Sequence, residues 1–575
     1  MRPNIQRNTI MTMRTIKKWI GTVLALSFFL ALSCDNDITE INKNPNGVNL
    51  DEANPSFLLA EVMAKTAKDV GDKGYAEPLA AFVQYVQKDS WGNNEYDWEG
   101  SGWETYYNNL RTADLAYSRS LELDMKFHQA VAMIMKAHLF GLLTDFYGDV
   151  PYSEALRGDS DVDLPKYDAQ ETIYKGIIAE LEAASALLSG NQSQLEPFLP
   201  SQDIYFQGDS ERWIKYANSL TLRYYMRLSE KDPSFASAGV QKTLAKPLIA
   251  SVDEECAVPY VGVSPDDSQP SNGRSGTPSD FTRVKPCQTL VNVLDGLNDP
   301  RRAIWFAPVA IPIKVVDPAE VPGGGGDVLD NGVRYINSDS LADNFTIYDP
   351  ETWYQDRLDG LTMIDTSSVY VGIPVSNQGT EPYTYNLNPQ PTQGGNNVHV
   401  SEMNAQFNEV EGPNLKARIL SYAEVSFLKA EAALKGWGTD AEENYNNGIQ
   451  ASFDDWGIGA LVSEYMDNDG VAFDGSTEQV MEQKWIANFS SASEAYMDWR
   501  RTGLPNLRPG PFAKSEVIPV RFVYPDNDRN FNRENYNAAL SSLETTEHTD
   551  DVPGYVENDT PWSKPWVLQG VTEPW

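Results

Sequence analysis

LLTDFYGDVPYSEAL, residues 142–156, decides how the rest of the chain is read. Its first residues continue an apolar run, KFHQAVAMIMKAHLFGLL over 126–143. That run is helical in pattern and apolar on more than one side, as a buried helix is. Gly148 and Pro151 then end the helix and fix a turn, because glycine tolerates backbone angles that side chains forbid and proline cannot continue a hydrogen-bonded helix. Phe146, Tyr147 and Tyr152 flank the turn and supply rings to fill a junction between helices. The stretch predicts a buried helical corner.

Working outward, the same texture recurs at both ends of the chain. ETIYKGIIAELEAASALL, from Glu171, places Ile173, Ile177, Leu181, Ala184 and Leu188 on one stripe. ERWIKYANSLTLRYYMRLSE follows a cap at Asp209 or Ser210 and aligns Trp213, Ala217, Leu220, Tyr224 and Leu228. Late in the chain SYAEVSFLKAEAALKGW ends at Gly436, and AEENYNNGIQASFDDWGI aligns Tyr445, Ile449, Phe453 and Trp456. EQVMEQKWIANFSSASEAYMDWRRTG reads as one further helix stopped by glycine. Paired helices with short turns and Ala or Gly at close contacts suggest tetratricopeptide-like hairpins. Between about Asp232 and Pro413 the composition turns to Pro, Gly, Asn, Asp and Ser, including the run Gly323–Gly326. Long irregular segments of this kind usually carry function.

The expected fold class is therefore mainly α: helix pairs supporting a large irregular, loop-rich part. The expected divisions are 1–33 as a signal, 34–54 as a tether, 55–231 and 414–507 as helical repeat parts, 232–413 as the irregular part and 508–575 as an extended C-terminal segment. The signal reading rests on MRTIKKWIGTVLALSFFLALSC: a basic start, an apolar run from Ile20 to Leu32, and small residues before Cys34. About 20 apolar residues are needed to span a bilayer, and this run is shorter. Met13 is a second candidate start. Ala31-Leu32-Ser33 before Cys34 resembles a bacterial lipobox, with Ala31 where leucine is usual and Leu30 one position earlier. Acylation of Cys34 would anchor the chain without a transmembrane helix.

The 575 residues carry 45 basic and 82 acidic side chains, a net charge of −37. So negative a surface repels phosphate backbones and argues against nucleic acid as a partner, while neutral sugars and peptides are compatible with it. Cys256 and Cys287 leave two alternatives. A bridge would close a loop of about 30 residues and contribute roughly 3–4 kcal/mol; otherwise they are two buried thiols. There is no CxxC, His128, His138, His399 and His548 form no ligand-spaced pair, and no metal or cofactor is expected. His138 reads as a satisfied core histidine. MDNDGVAFDGSTE looks calcium-like, but placing Gly470 at the loop glycine puts Tyr465 and Ser476 at ligand positions, so a turn is expected.

At this point the motifs together become recognisable. LLTDFYGDVPYSEAL, DIYFQGDSERWIKYANSLTLRYYMRLS, LNDPRRAIWFAP, YVGIP, ILSYAEVSFLKAEAALKGW, EQKWIANFSSASEAYMDWRRTGLPNL and IPVRFVYPDNDRNFNRENYNAAL occur in this order over about Asn42 to Leu540. They resemble the SusD/RagB family of outer-membrane nutrient-binding lipoproteins of Bacteroidetes, the SusD-like branch most of all. The resemblance implies a helical body of four tetratricopeptide-like pairs under an irregular ligand-binding half. It implies a cell-surface, lipid-anchored lid over a SusC-like TonB-dependent transporter that captures oligosaccharides, or peptides in the RagB case, without catalysis or a cofactor. The motif residues themselves, including Trp499, Arg500 and Arg501, read as fold-determining.

The ligand site is sought where large rings stand among polar residues. DSWGNNEYDWEGSGW (89–103) holds Trp91, Tyr96 and Trp98 beside Asn93, Asn94, Glu95 and Asp97. A sugar stacks its C–H face on such rings while amides and carboxylates bond its hydroxyls. Family members carry a ligand-contacting aromatic loop in this part of the chain. Trp103 precedes Tyr106, Tyr107 and Leu110 at helix spacing and is assigned to the core. YDPETWYQDRLDG adds Trp353, Tyr354, Asp356 and Arg357 in a polar loop; Arg274 and Arg283 complete the candidates. Trp305 is expected to pack, and Trp562, Trp566 and Trp575 to dock on the body or the barrel. Two rival classes remain. A surface glycosidase needs two carboxylates, which 82 acids always supply, and no P-loop, GxSxG, HExxH or dinucleotide fingerprint accompanies them. A pure docking scaffold would leave Trp91 and Trp98 without a ligand.

Overall fold

The computed structural model describes residues 53–75, 78–88, 102–158, 162–190, 192–270, 278–341, 344–375, 386, 397–511, 513–551 and 553–571. The body begins at Asn54. Its first part is a succession of long helices, Pro55–Tyr75, Glu104–Glu122, Lys126–Tyr147, Gln170–Gly190, Ser210–Arg227 and Pro233–Leu244, each packed on the next. The stripes expected from periodicity are the buried ones: Ile173, Ile177, Leu181, Ala184 and Leu188 on one helix, and Trp213, Ala217, Leu220 and Tyr224 on another. Asp209 is the cap of the latter, its carboxylate accepting from the Glu211 and Arg212 amides.

The Lys126–Tyr147 helix is buried almost all round. It ends at Gly148, whose φ of +90° only glycine adopts without strain. Beyond the turn the returning C-terminal segment closes the corner. Phe522 stacks on Phe146 with centroids 4.7 Å apart and donates its amide to the Phe146 carbonyl at 2.8 Å. Trp103, the N-cap of the second helix, sits against Tyr147, Tyr167 and Tyr524, as its assignment to the core requires. Trp562 is buried on the body, its indole donating to the Val517 carbonyl at 2.9 Å, and Trp566 is half-buried. Trp575 lies outside the described residues.

A second helical group, Tyr422–Leu434, Ala441–Asp455, Thr477–Ala487 and Ala492–Thr502, completes the body. The last two were expected as one helix. The chain breaks at Ser490, φ +77°, because the first helix presses on it: a Cβ on Gly74 would lie 2.1 Å from the Ser490 carbonyl oxygen. Buried charges tie the two groups: Arg223 grips Glu424 through two hydrogen bonds of 2.7 Å and Arg227 reaches Glu494 at 2.6 Å. Within the second group Lys484 pairs with Asp498 at 2.7 Å and Arg501 with Glu431 at 2.5 Å. The arginines of the WRRTG motif are thus internal ties, Arg500 donating to the Val520 carbonyl at 2.7 Å over the Tyr496 ring. His138 is fully buried beside the Tyr216 hydroxyl at 3.1 Å, and burial takes its imidazole down to about 3, so it is a neutral core residue.

Between these groups the described residues form short strands and turns: 313–316 parallel to 333–337 with 327–330 on its other side, 256–259 against 416–420, and 345–347 with 362–364. Cys256 and Cys287 are free and buried, which removes the disulfide alternative. Cys256 is held in the strand pair with 416–420, whereas Cys287 is fastened to Tyr85 and accepts from Gln87 Nε2 at 3.3 Å.

Candidate functional site

The described flanks of two expected ligand segments are paired in one two-stranded ribbon. Val86–Lys88 pairs antiparallel with Val284–Pro286, setting Lys88 opposite Val284. Lys88 leads directly into the aromatic loop, and Val284 follows the short helix Pro278–Arg283, which leaves the loop containing Arg274. The ribbon's root is fixed by the motif tryptophan Trp485, whose indole donates to the Val83 carbonyl at 3.0 Å and whose own carbonyl accepts the Tyr85 hydroxyl. Gln84 turns the chain there with φ +58°, accepting from Thr289 Oγ1 at 2.6 Å and donating to the Arg508 carbonyl at 2.8 Å.

Arg508 carries the third segment. Its guanidinium lies 3.6 Å above the Tyr354 ring, against which Trp353 stands edge-on at 5.7 Å. Trp353–Leu358 is a short helix rather than the expected loop; Trp353 and Tyr354 are half-buried and keep ring surface in solvent. Arg357 points the other way. It is 2% exposed and donates to the Val375 carbonyl at 3.3 Å, so it is a tie inside the fold and not a ligand contact as expected from sequence. Arg283 is buried as well. Trp91, Asn93, Asn94, Tyr96, Trp98, Arg274 and Cys34 lie outside the described residues.

The far end of the aromatic loop returns at Gly102, beside a cleft of about 390 Å³. Glu104, Tyr524, Asp526, Arg529 and Tyr555 are among the residues lining it. Sequence reading missed this cleft because YPDNDRNFN was assigned wholly to the fold; the polar run Asp526–Arg529 just after Tyr524-Pro525 was the available signal. Near it, burial raises the Asp528 carboxyl above its ordinary range. Among the described residues no group of His, Cys, Asp or Glu is arranged to hold a metal. In the calcium-like stretch Asp474 is spent on a turn, accepting from the Ser476 amide at 2.7 Å.

Residues 45–315 and 370–525 match a SusD-like family described as starch-binding and associating with the outer membrane. Solved structures share the fold. A chitin-binding protein superposes with a TM-score of 0.64 at 22% identity, covering 89% of this chain and 99% of its own. A SusD homolog from Bacteroides fragilis gives 0.64 at 20%, covering 90% and 99%. A SusD-like protein of Bacteroidetes gives 0.65 at 22%, again covering 90% and 99%. No curated protein matches the sequence.

Proposed function

The chain belongs to the SusD-like family of starch-binding, outer-membrane-associating proteins, and from that premise we propose that it is a surface lipoprotein, anchored through Cys34, that captures oligosaccharides and passes them to a SusC-like TonB-dependent transporter. The observation that carries this reading is the convergence at the Lys88–Val284 ribbon. The segments that hold the candidate ligand residues adjoin it at Lys88 and, through the Pro278–Arg283 helix, at Val284, and Tyr354 lies under Arg508, whose carbonyl is bonded to Gln84. In this reading Trp91, Tyr96 and Trp98 stack the sugar rings, Asn93 and Asn94 bond hydroxyls, Trp353 and Tyr354 form a second wall, and Arg274 reaches in from the adjoining loop. No step of bond making is assigned to any of them.

The test is calorimetric titration of the chain from Asp35 onward with malto-oligosaccharides, chito-oligosaccharides and peptides, repeated with Trp98→Ala and Trp353→Ala. Binding to a glycan that each substitution weakens by about 1–2 kcal/mol, the scale of one lost aromatic contact, supports the reading. Peptide binding alone would assign a RagB-like importer component. Glycan binding that neither change affects would move the site away from the ribbon. An absence of binding to every panel would leave a docking scaffold.

A further inference from the structure

The point where the chain enters the body has an unusual surface. Phe57, in the first turn of the Pro55–Tyr75 helix, is 63% exposed; Leu121 and Leu123, at the turn between the next two helices, are each 50% exposed, and Leu199 is 53% exposed. Their neighbours in sequence touch one another. Ser56 Oγ lies 2.6 Å from His128 Nε2, the His128 ring stacks on Phe198 at 4.4 Å, and Gln129 Nε2 donates to the Ser120 carbonyl at 3.0 Å. Single exposed apolar side chains are ordinary, but four around one corner mark a contact surface.

The charges at this corner are largely paired. Among the described residues, three acids here stand beside cations: Glu122 by Arg119, Asp124 with Lys126 at 2.6 Å, Glu61 with Lys65 at 2.5 Å. The fourth, Glu196, is bonded to His128 at 2.6 Å. These pairs lessen the repulsion that unpaired acids would meet at negatively charged lipid headgroups. The covalent path from Cys34 to this corner is about 20 residues, at most roughly 70 Å when fully extended, and a tether of that reach keeps the corner at high effective concentration near its anchor.

We propose that this corner rests on the lipid surface, with Phe57, Leu121, Leu123 and Leu199 entering the boundary between headgroups and acyl chains. The proposal rests on the lipid-anchor reading of Cys34: the acyl chains attach the protein, and the corner sets which end of the body faces the bilayer. The long apolar Lys126–Tyr147 helix is not the contact, since it is buried inside the body.

The test uses the chain from Asp35 with an N-terminal histidine tag, held on nickel-chelating lipid in phosphatidylethanolamine–phosphatidylglycerol vesicles containing lipids brominated along their acyl chains. A polarity-sensitive dye is placed on Leu123→Cys or, as the control, on Phe531→Cys; the two native cysteines are buried. Phe531 is 75% exposed and follows Arg529, which lines the cleft by Gly102, at the other end of the Glu104–Glu122 helix. The expected result is bromolipid quenching several-fold stronger at position 123 than at 531, abolished by adding Phe57→Glu and Leu121→Glu. Equal quenching at both positions, or none at 123, overturns the proposal. So does shielding of position 123 by a co-purified transporter without lipid quenching. The artificial anchor takes Cys34 out of the test, so failure here leaves the anchor reading to stand or fall on the mass of the mature N-terminus.

Discussion

Glu494 sits between two buried guanidiniums, its carboxylate oxygens 3.3 Å from Arg223 and 2.6 Å from Arg227. Burial alone would raise this carboxyl; the two guanidiniums outweigh burial and hold it below its ordinary range. At Glu424, burial, helped by the neighbouring Glu494 charge, outweighs Arg223 and Lys484, and the carboxyl is raised. Glu494→Gln keeps the shape and removes the charge, leaving Arg223 with Glu424 and Arg227 with Asp145 at 3.3 Å. Stripping one partner from a buried pair costs about 3–5 kcal/mol, and since each guanidinium keeps a second carboxylate the expected loss is near the lower end, ~3 kcal/mol. The assay is urea unfolding followed by tryptophan fluorescence at pH 7, with Arg227→Met as the second arm of a double-mutant cycle; a coupling of about 1–3 kcal/mol is expected. The pH dependence has a definite sign. A depressed carboxyl adds stability above its unfolded pKa and loses that stability as pH falls through its folded value, so wild type and Glu494→Gln converge in acid. A loss below ~1 kcal/mol at pH 7, or a gap that persists in acid, would show that these helices are not held by an ionised Glu494.

Arg508→Ala removes the guanidinium over Tyr354, a contact of roughly 0.5–1 kcal/mol, and is expected to leave unfolding nearly unchanged while weakening glycan binding in calorimetry; unaltered affinity would detach Tyr354 from the site. An aromatic disulfide reagent is expected to find no reactive thiol in the folded chain from Asp35 and two after denaturation without reductant; none after denaturation would restore the disulfide. Glu180 carries the opposite sign from Glu494. Burial takes its carboxyl from 4.5 up to about 7, against the pull of Lys136, so its contribution falls as pH rises through that window. Glu180→Gln should therefore be more stable than wild type at pH 8 and little different at pH 4, read from thermal midpoints.

The helices were legible because their signal is local. A stripe such as Ile173, Ile177, Leu181 is written in steps of three and four, and whatever partner arrives must cover it. The cap at Asp209 and the stop at Gly148 were readable for the same reason, each being the work of one residue on its own backbone. The split at Ser490 was not, since it depends on Gly74 more than 400 positions away pressing on its carbonyl. Arg357 was misjudged for a related reason: a polar neighbourhood in sequence does not say which way a long side chain turns, and here it turns inward to Val375.

By itself, then, the sequence determined a mainly helical chain of one family, and it offered a small set of aromatic and polar segments as candidates to meet a ligand. The tertiary structure alone decided which of those segments share a place. The pairing of Lys88 with Val284, the seating of Tyr354 under Arg508 and the separate burial of Cys256 and Cys287 each join or part residues distant along the chain. Periodicity carries no information about such meetings, because a strand's hydrogen-bonding edge and a guanidinium's reach are satisfied by whatever the packed helices bring within a few ångströms, and that is settled only when the whole core closes.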